Sequence, residues 1–331
     1  MTIAPRYDIY QQRAKRGRFG TETVRYRPRL RPATTDTGRS SVREEASGRT
    51  EEVAQVSMFS YEGKRVVVSG GGGAGMGAAA VEGLAEMGAE IHVLDLREPP
   101  IDVASYQSAD LRDPDAVAGA IDNIGGRIDA LFNCAGLPGP PFPDVDVMLV
   151  NYAAPRHLAS LVAPRMTNGG AICSISSTAG NAYLENMQKW MPLVQTPDFA
   201  SALAWLEAHP EEIGGAYGQS KEALIIWTMW AAPDFAAQNI RLNCISPGPT
   251  DTPMMPQFES MAGPKLIDLF AQCLGRRSTP AEQAWPMIFL NSDAASYVTG
   301  ENLNTDGGTI SAITTGTIVI DVEAALAAGA S

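Results

Sequence analysis

One junction constrains this chain more than any other. Arg65–Ser69 (RVVVS) is a short β-branched run that breaks directly into Gly70-Gly71-Gly72-Gly73-Ala74-Gly75-Met76-Gly77. Small and apolar residues at helical spacing follow over 76–87 and stop at Gly88, and 91–94 (IHVL) reads as a second strand. Strand, glycine turn, helix and strand in that order make a βαβ unit, whose two strands must lie parallel.

The alternation continues along the chain. Residues 104–108 form a weak third strand, and Pro114–Ile124 a helix with proline in its first turn. Residues 128–132 (IDALF), 171–175 and 240–245 supply three more strands, with helical stretches near 144–166 and 216–237. The expected fold is α/β: a single-domain, doubly wound (Rossmann) parallel sheet covered on both faces, with ligands gathering at the carboxyl ends of the strands. No internal repeat is visible. Residues 1–57 show no period and few large apolar groups, so they cannot offset chain entropy and read as a disordered basic tail. The tail reads as an inert extension or as a consequence of Met58 being the true start, with contact to acidic partners or membrane lipids as the alternative. The folded domain is placed at 58–315, and 316–331 is a C-terminal extension.

Composition narrows the function classes. Hydrophobic residues at 45% and charged residues at 19% suit a globular core. No apolar run reaches the roughly 18–20 residues of a membrane span, and no apolar stretch follows the basic N-terminus as in a secretory signal. Of the net charge of −12, residues 1–60 hold 12 basic against 7 acidic side chains, and the remainder 13 against 30. Such an acidic body repels phosphate backbones, so neither nucleic acid nor membrane is an expected partner. Cys134, Cys173, Cys244 and Cys273 form no C-x-x-C pair, and with three histidines no metal site is expected. The cysteines read as core residues of a reduced, cytoplasmic protein.

A pyrophosphate needs close backbone approach, a tight turn and free N–H groups at a helix start, all of which glycines permit. Asp95 ends the second strand, 18 residues past Gly77. A carboxylate there accepts hydrogen bonds from the adenosine ribose and repels a 2′-phosphate, which favours NAD over NADP. Nearby Arg97 keeps NADP in play.

With these residues in place, the chain resembles the short-chain dehydrogenase/reductase family over roughly residues 60–312. Gly71, Gly75 and Gly77, with Met76 between the last two, match its glycine pattern, although the loop is one residue longer when Gly70 is taken as first. Asp110-Leu111 matches the adenine-contacting pair. Asn133-Cys134-Ala135-Gly136 matches Asn-Asn-Ala-Gly, with Cys for the second Asn. Asn151, Ser177 and Tyr217-Gly-Gln-Ser-Lys221 match the catalytic tetrad, and Pro247, Gly248 and Thr250 the loop over the nicotinamide. Asp306-Gly307-Gly308 matches the terminal strand mark. The segment 221–227, the run 243–249 and the 40-residue gap between Ser177 and Tyr217 resemble 3α-hydroxysteroid and coniferyl-alcohol dehydrogenases in particular.

Oxidising an alcohol releases a hydride to the cofactor and a proton to the protein. A free tyrosine titrates near 10, too high for a base at neutral pH. Lys221 lies one helical turn from Tyr217, and its charge, with that of oxidised nicotinamide, is expected to favour the phenolate. Ser177 would hold the substrate oxygen. The resemblance further implies that Lys221 binds the nicotinamide ribose and that Asn151 holds a relay water.

The substrate is expected to be a bulky hydrophobic alcohol or ketone. The insertion 181–215 is rich in large apolar groups and reads either as a helical hairpin packed on the body or as a wall of the substrate site. The segment 249–275, with Met254, Met255, Phe258, Met261, Leu266 and Phe270, resembles a substrate lid. Alternatives are an NADPH-dependent carbonyl reductase and a non-catalytic dinucleotide-binding regulator. The resemblance implies a homo-dimer or homo-tetramer, for which Trp227 and Trp230 offer apolar surface unless the insertion blocks it.

Overall fold

Seven strands form one parallel sheet in the order β3-β2-β1-β4-β5-β6-β7. They are β1 Arg65–Ser69, β2 Glu90–Asp95, β3 Ser105–Ser108, β4 Ala130–Asn133, β5 Gly170–Ile175, β6 Ile240–Pro247 and β7 Asn302–Thr305. The computed structural model describes residues 58–166 and 169–320; the expectations for 1–57 and 321–331 lie outside them. The strand order reverses between β1 and β4, which is where a doubly wound sheet opens a crevice.

Alternation along the strands divides the core. Val66 and Val68 of β1 pack with Val81 and Leu84 of α1 (Met76–Glu86) and with Met287 and Ile288 of Pro280–Asn291. Val67 points the other way, into a larger cluster with α2 (Pro114–Ile124), α3 (Asp144–Met148), α4 (Ala154–Val162) and residues near 223–231. Both faces of the sheet are thus buried, as parallel sheets require. The stretch near 144–166 is interrupted by a π-helical turn, Leu149–Ala153.

The insertion forms a 3₁₀ segment, Thr178–Leu184, then α5 (Met187–Val194) and α6 (Phe199–Ala208). Trp190, Leu193, Val194 and Leu206 are fully buried and continuous with the larger core cluster. The insertion is therefore a helical hairpin seated on the body. Trp227 is buried in the same cluster and edge-packed on Phe235, so it is not free for a subunit contact; Trp230 is exposed. We predict that Trp190→Ala costs about 3–5 kcal/mol of stability through the cavity it leaves. Urea denaturation measures this; a cost under about 1 kcal/mol would mean that the hairpin is not part of the folded core.

Candidate active site

A cleft with a volume of about 500 Å³ opens at the crevice between β1 and β4. Gly70 adopts φ +75°, and a Cβ there would overlap the backbone of Ala135, so the ends of the two strands close together only because this residue is glycine. A Cβ on Gly77 would overlap the Gly70 carbonyl. Gly75 starts α1 without a side-chain cap, and no acidic residue stands in the first turn. The helix start therefore offers uncapped N–H donors and the positive end of its dipole to the cleft, a cradle that fits a dinucleotide pyrophosphate.

The expected cofactor residues fall into three groups. Tyr217, Pro247, Gly248 and Thr250 line the neighbouring chamber, with Lys221 buried beside it. Gly75, Met76, Gly77 and Asp95 line the cleft, as do Asp110, Leu111, Ala135 and Gly136. Gly71 and Asn133 stand behind it. Gly71 is buried, and a Cβ there would lie 3.0 Å from Val81. Asn133 donates to Ser174 Oγ at 3.1 Å, tying β4 to β5. Asp95 accepts from the Gly72 N–H at 2.8 Å and from the Arg97 N–H at 3.0 Å. The Arg97 side chain reaches the glycine turn at Gly73 and borders the same cleft. Arg112 holds the Asp110 carboxyl below the usual carboxylate range and also pairs with Asp146 at 2.6 Å.

Where this cleft meets the next, α7 (Ala216–Ala236) presents Tyr217 and Lys221 on one face. Lys221 Nζ lies 5.6 Å from the centre of the Tyr217 ring and donates to the Ile175 carbonyl at 2.8 Å. Ser177 follows β5 in extended conformation, and its Oγ accepts from the Ala179 N–H at 3.1 Å. It lines the same chamber as the Tyr217 phenol. Asn151 sits in the π turn. Its Oδ1 accepts from the Leu137 N–H at 2.7 Å, and its Nδ2 donates to the Leu137 carbonyl at 2.9 Å and to Ser220 Oγ at 3.1 Å. The wider turn thus aims a buried amide that clamps the loop after β4 to α7.

Sequence reasoning missed the small residues that make this convergence possible. Ser176 donates to the Lys221 carbonyl at 3.0 Å, and a Cβ on Gly180 would lie 2.8 Å from the Lys221 carbonyl carbon. Ser220 links Asn151 to the Tyr217 carbonyl. Ser176 and Ser220 each adjoin a matched residue and Gly180 lies three positions past Ser177, but nearness in sequence gives no sign of contact across elements.

Comparison with known proteins agrees with this geometry. A family model described as short chain dehydrogenase matches residues 64–190, and one described as enoyl-(acyl carrier protein) reductase matches 201–309. Coniferyl-alcohol dehydrogenase from Pseudomonas sp. (strain HR199) is 32% identical over 246 residues, covering 74% of this chain and 96% of that protein. The 3-alpha-hydroxysteroid dehydrogenase/carbonyl reductase of Comamonas testosteroni is 32% identical over 249 residues, covering 73% and 95%. The chain belongs to the short-chain dehydrogenase/reductase family. The crystal structure of the 3-alpha-hydroxysteroid dehydrogenase from Pseudomonas sp. B-0831 complexed with NADH has a TM-score of 0.64 at 28% identity, covering 77% of this chain and all (100%) of that one. The protein is accordingly an NAD(P)-dependent oxidoreductase acting on alcohol groups.

Beside Tyr217 the dehydrogenase has a second, apolar chamber of about 250 Å³, which shares Met76, Thr252 and Met254 with the dinucleotide cleft. Its floor is Ser177 and Tyr217, with Pro247, Gly248 and Thr250 beside them. Its roof is the lid, in which α8 (Met255–Ala262) and α9 (Pro264–Leu269) contribute Met255, Phe258 and Ile267. Phe258 packs edge-on against Tyr217 at 4.8 Å. Leu266 and the exposed Met261 of the lid do not line this chamber, and neither do residues 181–215, so the insertion is not its wall. Arg277 braces the lid, pairing with Glu259 and Asp268 at 2.7 Å each. No helix among the described residues is long and apolar enough to cross a membrane, and no three of their metal-capable side chains cluster.

Burial sets the protonation of the pair. It raises the Tyr217 phenol above its ordinary value, opposed by the nearby Ser177 hydroxyl. Removing a phenolate from water is costly, so without the nicotinamide charge the buried phenol stays protonated. Burial also lowers Lys221 to about 8. An unfolded lysine titrates near 10.4, so between these values the unfolded chain binds more protons and stability rises with pH; below about 8 the folded chain bears the full cost of the buried charge. We predict that cofactor-free Lys221→Met is more stable than wild type at pH 7, by on the order of 3 kcal/mol, and that the difference shrinks between about pH 8 and 10.5. Denaturation across that range tests this; a less stable variant at pH 7 would mean that the bond to Ile175 outweighs burial.

Proposed function

We propose that this dehydrogenase oxidises a bulky hydrophobic alcohol with NAD as hydride acceptor, using Tyr217 and Lys221 as its acid/base couple. The observation that carries the reading is the meeting of a phenol, a serine hydroxyl and a buried lysine at the junction of a dinucleotide cleft and an apolar chamber. Gly75, Met76 and Gly77 would hold the pyrophosphate, Asp95 the adenosine ribose, and Asp110 and Leu111 the adenine side. Ala135, Gly136, Pro247, Gly248 and Thr250 would border the nicotinamide half, with Gly71 and Asn133 shaping the turn and strand behind. When bound, oxidised nicotinamide supplies the hydride acceptor and a positive charge.

The chain's own residues handle the proton. Ser177 accepts from the Ala179 N–H, so its hydroxyl hydrogen is left to orient an oxygen beside Tyr217. The Tyr217 phenolate takes the carbinol proton, the ammonium of Lys221 stabilises that phenolate, and the same amine would hold the nicotinamide ribose. Asn151 fixes the loop after β4 against α7 and belongs to the route by which the proton leaves. In the reductive direction the Tyr217 phenol is the proton donor, a transfer that burial by itself makes harder. Arg97, at the rim beside Asp95, favours NADPH-dependent carbonyl reduction as the second reading.

The apolar lid and the names of the relatives support a coniferyl-type aromatic alcohol or a hydroxysteroid. We place the protein in a homo-dimer or homo-tetramer in which Trp227 takes no part. A screen of such alcohols with NAD and NADP, followed by absorbance of the reduced nicotinamide, tests the reading. Turnover confined to small polyols or acyl-thioesters overturns it. Tyr217→Phe should lose at least about 10³-fold in kcat, with cofactor affinity held within about twofold. Near-normal turnover in that variant removes the assignment.

A further inference from the structure

A smaller cavity of about 180 Å³ adjoins the apolar chamber and shares Gly248, Pro249 and Phe270 with it. Its character is different. Gln283, 1% exposed, donates through Nε2 to Ser278 Oγ at 2.8 Å and to the Thr305 carbonyl at 2.9 Å, while its Oε1 is buried without a hydrogen-bond partner. The hydroxyl of Thr305, on the same wall, is buried and unpartnered too. The two acceptors of Nε2 fix the amide orientation, so the unfilled valence on Gln283 is an acceptor. Two such buried atoms, on residues that line one cavity, each carry a desolvation cost of roughly 1–3 kcal/mol until a partner arrives.

The other polar groups at this cavity are already matched. Arg276 is held by Glu282 through both terminal nitrogens, and the Asp306 carboxylate accepts from the N–H groups of Gly308 and Ile310. No unpaired charge here asks for an anion or a cation. The complement is a neutral group that donates to Gln283 Oε1 and shares a hydrogen bond with Thr305, which is a hydroxyl.

The sheet register gives its distance from the reacting centre. Ile175 is paired with Ile245, and Pro247 with Thr305. Ser177 continues β5 in extended conformation, so Ser177, Pro247 and Thr305 stand at one level on three neighbouring strand ends. Two inter-strand spacings separate the outer pair by about 10 Å. We propose that the substrate is a two-ended alcohol: a carbinol at Ser177 and Tyr217, an apolar middle beneath Phe270, and a second hydroxyl about 10 Å away that Gln283 and Thr305 receive. This rests on the proposed function and narrows it to phenolic or otherwise doubly hydroxylated substrates. Ordered water is the ordinary filling of such a cavity, and the experiment separates the two.

The probes are 4-hydroxycinnamyl alcohol, cinnamyl alcohol and 4-methoxycinnamyl alcohol, compared by kcat/KM in wild type, Thr305→Val and Gln283→Met. Wild type should favour the phenol over both analogues by about tenfold or more, the effect of one well-placed hydrogen bond. Each variant should bring that ratio below about threefold while retaining cinnamyl alcohol turnover. Thr305→Val removes the hydroxyl at nearly constant shape, so it remains informative if Gln283→Met loosens Ser278. Equal turnover of the three alcohols by wild type, or a preference that survives both substitutions, overturns the inference and leaves the proposed function standing. Turnover of none of them overturns both.

Discussion

A buried ammonium organises this molecule. Lys221, 3% exposed, can remain in the core only because the Ile175 carbonyl accepts from it, and that carbonyl is presented by the last residue of β5. The requirement propagates outward. Helix α7 must lie close enough to β5 for the bond to form, which needs Gly180 against the Lys221 carbonyl carbon and Ser176 bonded to its oxygen. The loop after β4 must then pass over the amine, and a Cβ on Gly136 would stand 3.9 Å from Nζ. Asn151, aimed by the π turn, clamps that loop. An uncompensated buried charge is among the costlier features a fold can carry, and a site that must change protonation state is where such a cost is retained.

Around that centre the protein separates two kinds of surface. The dinucleotide side is made of backbone: close-packed glycines and a helix start with free N–H groups, bordered by Asp95 and Asp110. The substrate side is made of apolar side chains on a lid. Arg277 binds carboxylates on both lid helices, and the Ser278 N–H donates to the Pro249 carbonyl at 3.0 Å, closing the base of the segment. The lid is thus internally braced, so it can move as a body over the chamber rather than as a loose chain. The insertion lies elsewhere: Trp190 donates to Glu222, the residue after Lys221, at 2.6 Å, and Asn186 donates to the same carboxylate. Its contribution to the site is to hold α7 from behind.

Much of this was legible in the residues. The glycine cluster between a β-branched strand and a helix specifies a parallel α/β crossing, since few other arrangements let backbone approach backbone so closely. A four-residue spacing places Tyr217 and Lys221 on one helix face by geometry alone. Six strands were placed to within about two residues at most ends, because buried parallel strands read as apolar runs. The seventh, Asn302–Thr305, was noted only through the Asp306-Gly307-Gly308 mark, because a polar edge strand has no such run.

Local pattern, then, determined the layered fold, the crevice at the strand reversal and the spacing of the acid/base pair, each of which depends on residues near in sequence. Only tertiary structure decided that the insertion packs into the core, that Trp227 is buried, that Gly71 and Asn133 stand behind the cleft, and that burial raises the phenol. It alone brought Gln283 and Thr305 to one cavity beside the reacting centre. These depend on which side chains meet after the sheet is assembled, and on how much water is left around them, and neither quantity is written in the spacing of residues along a single chain.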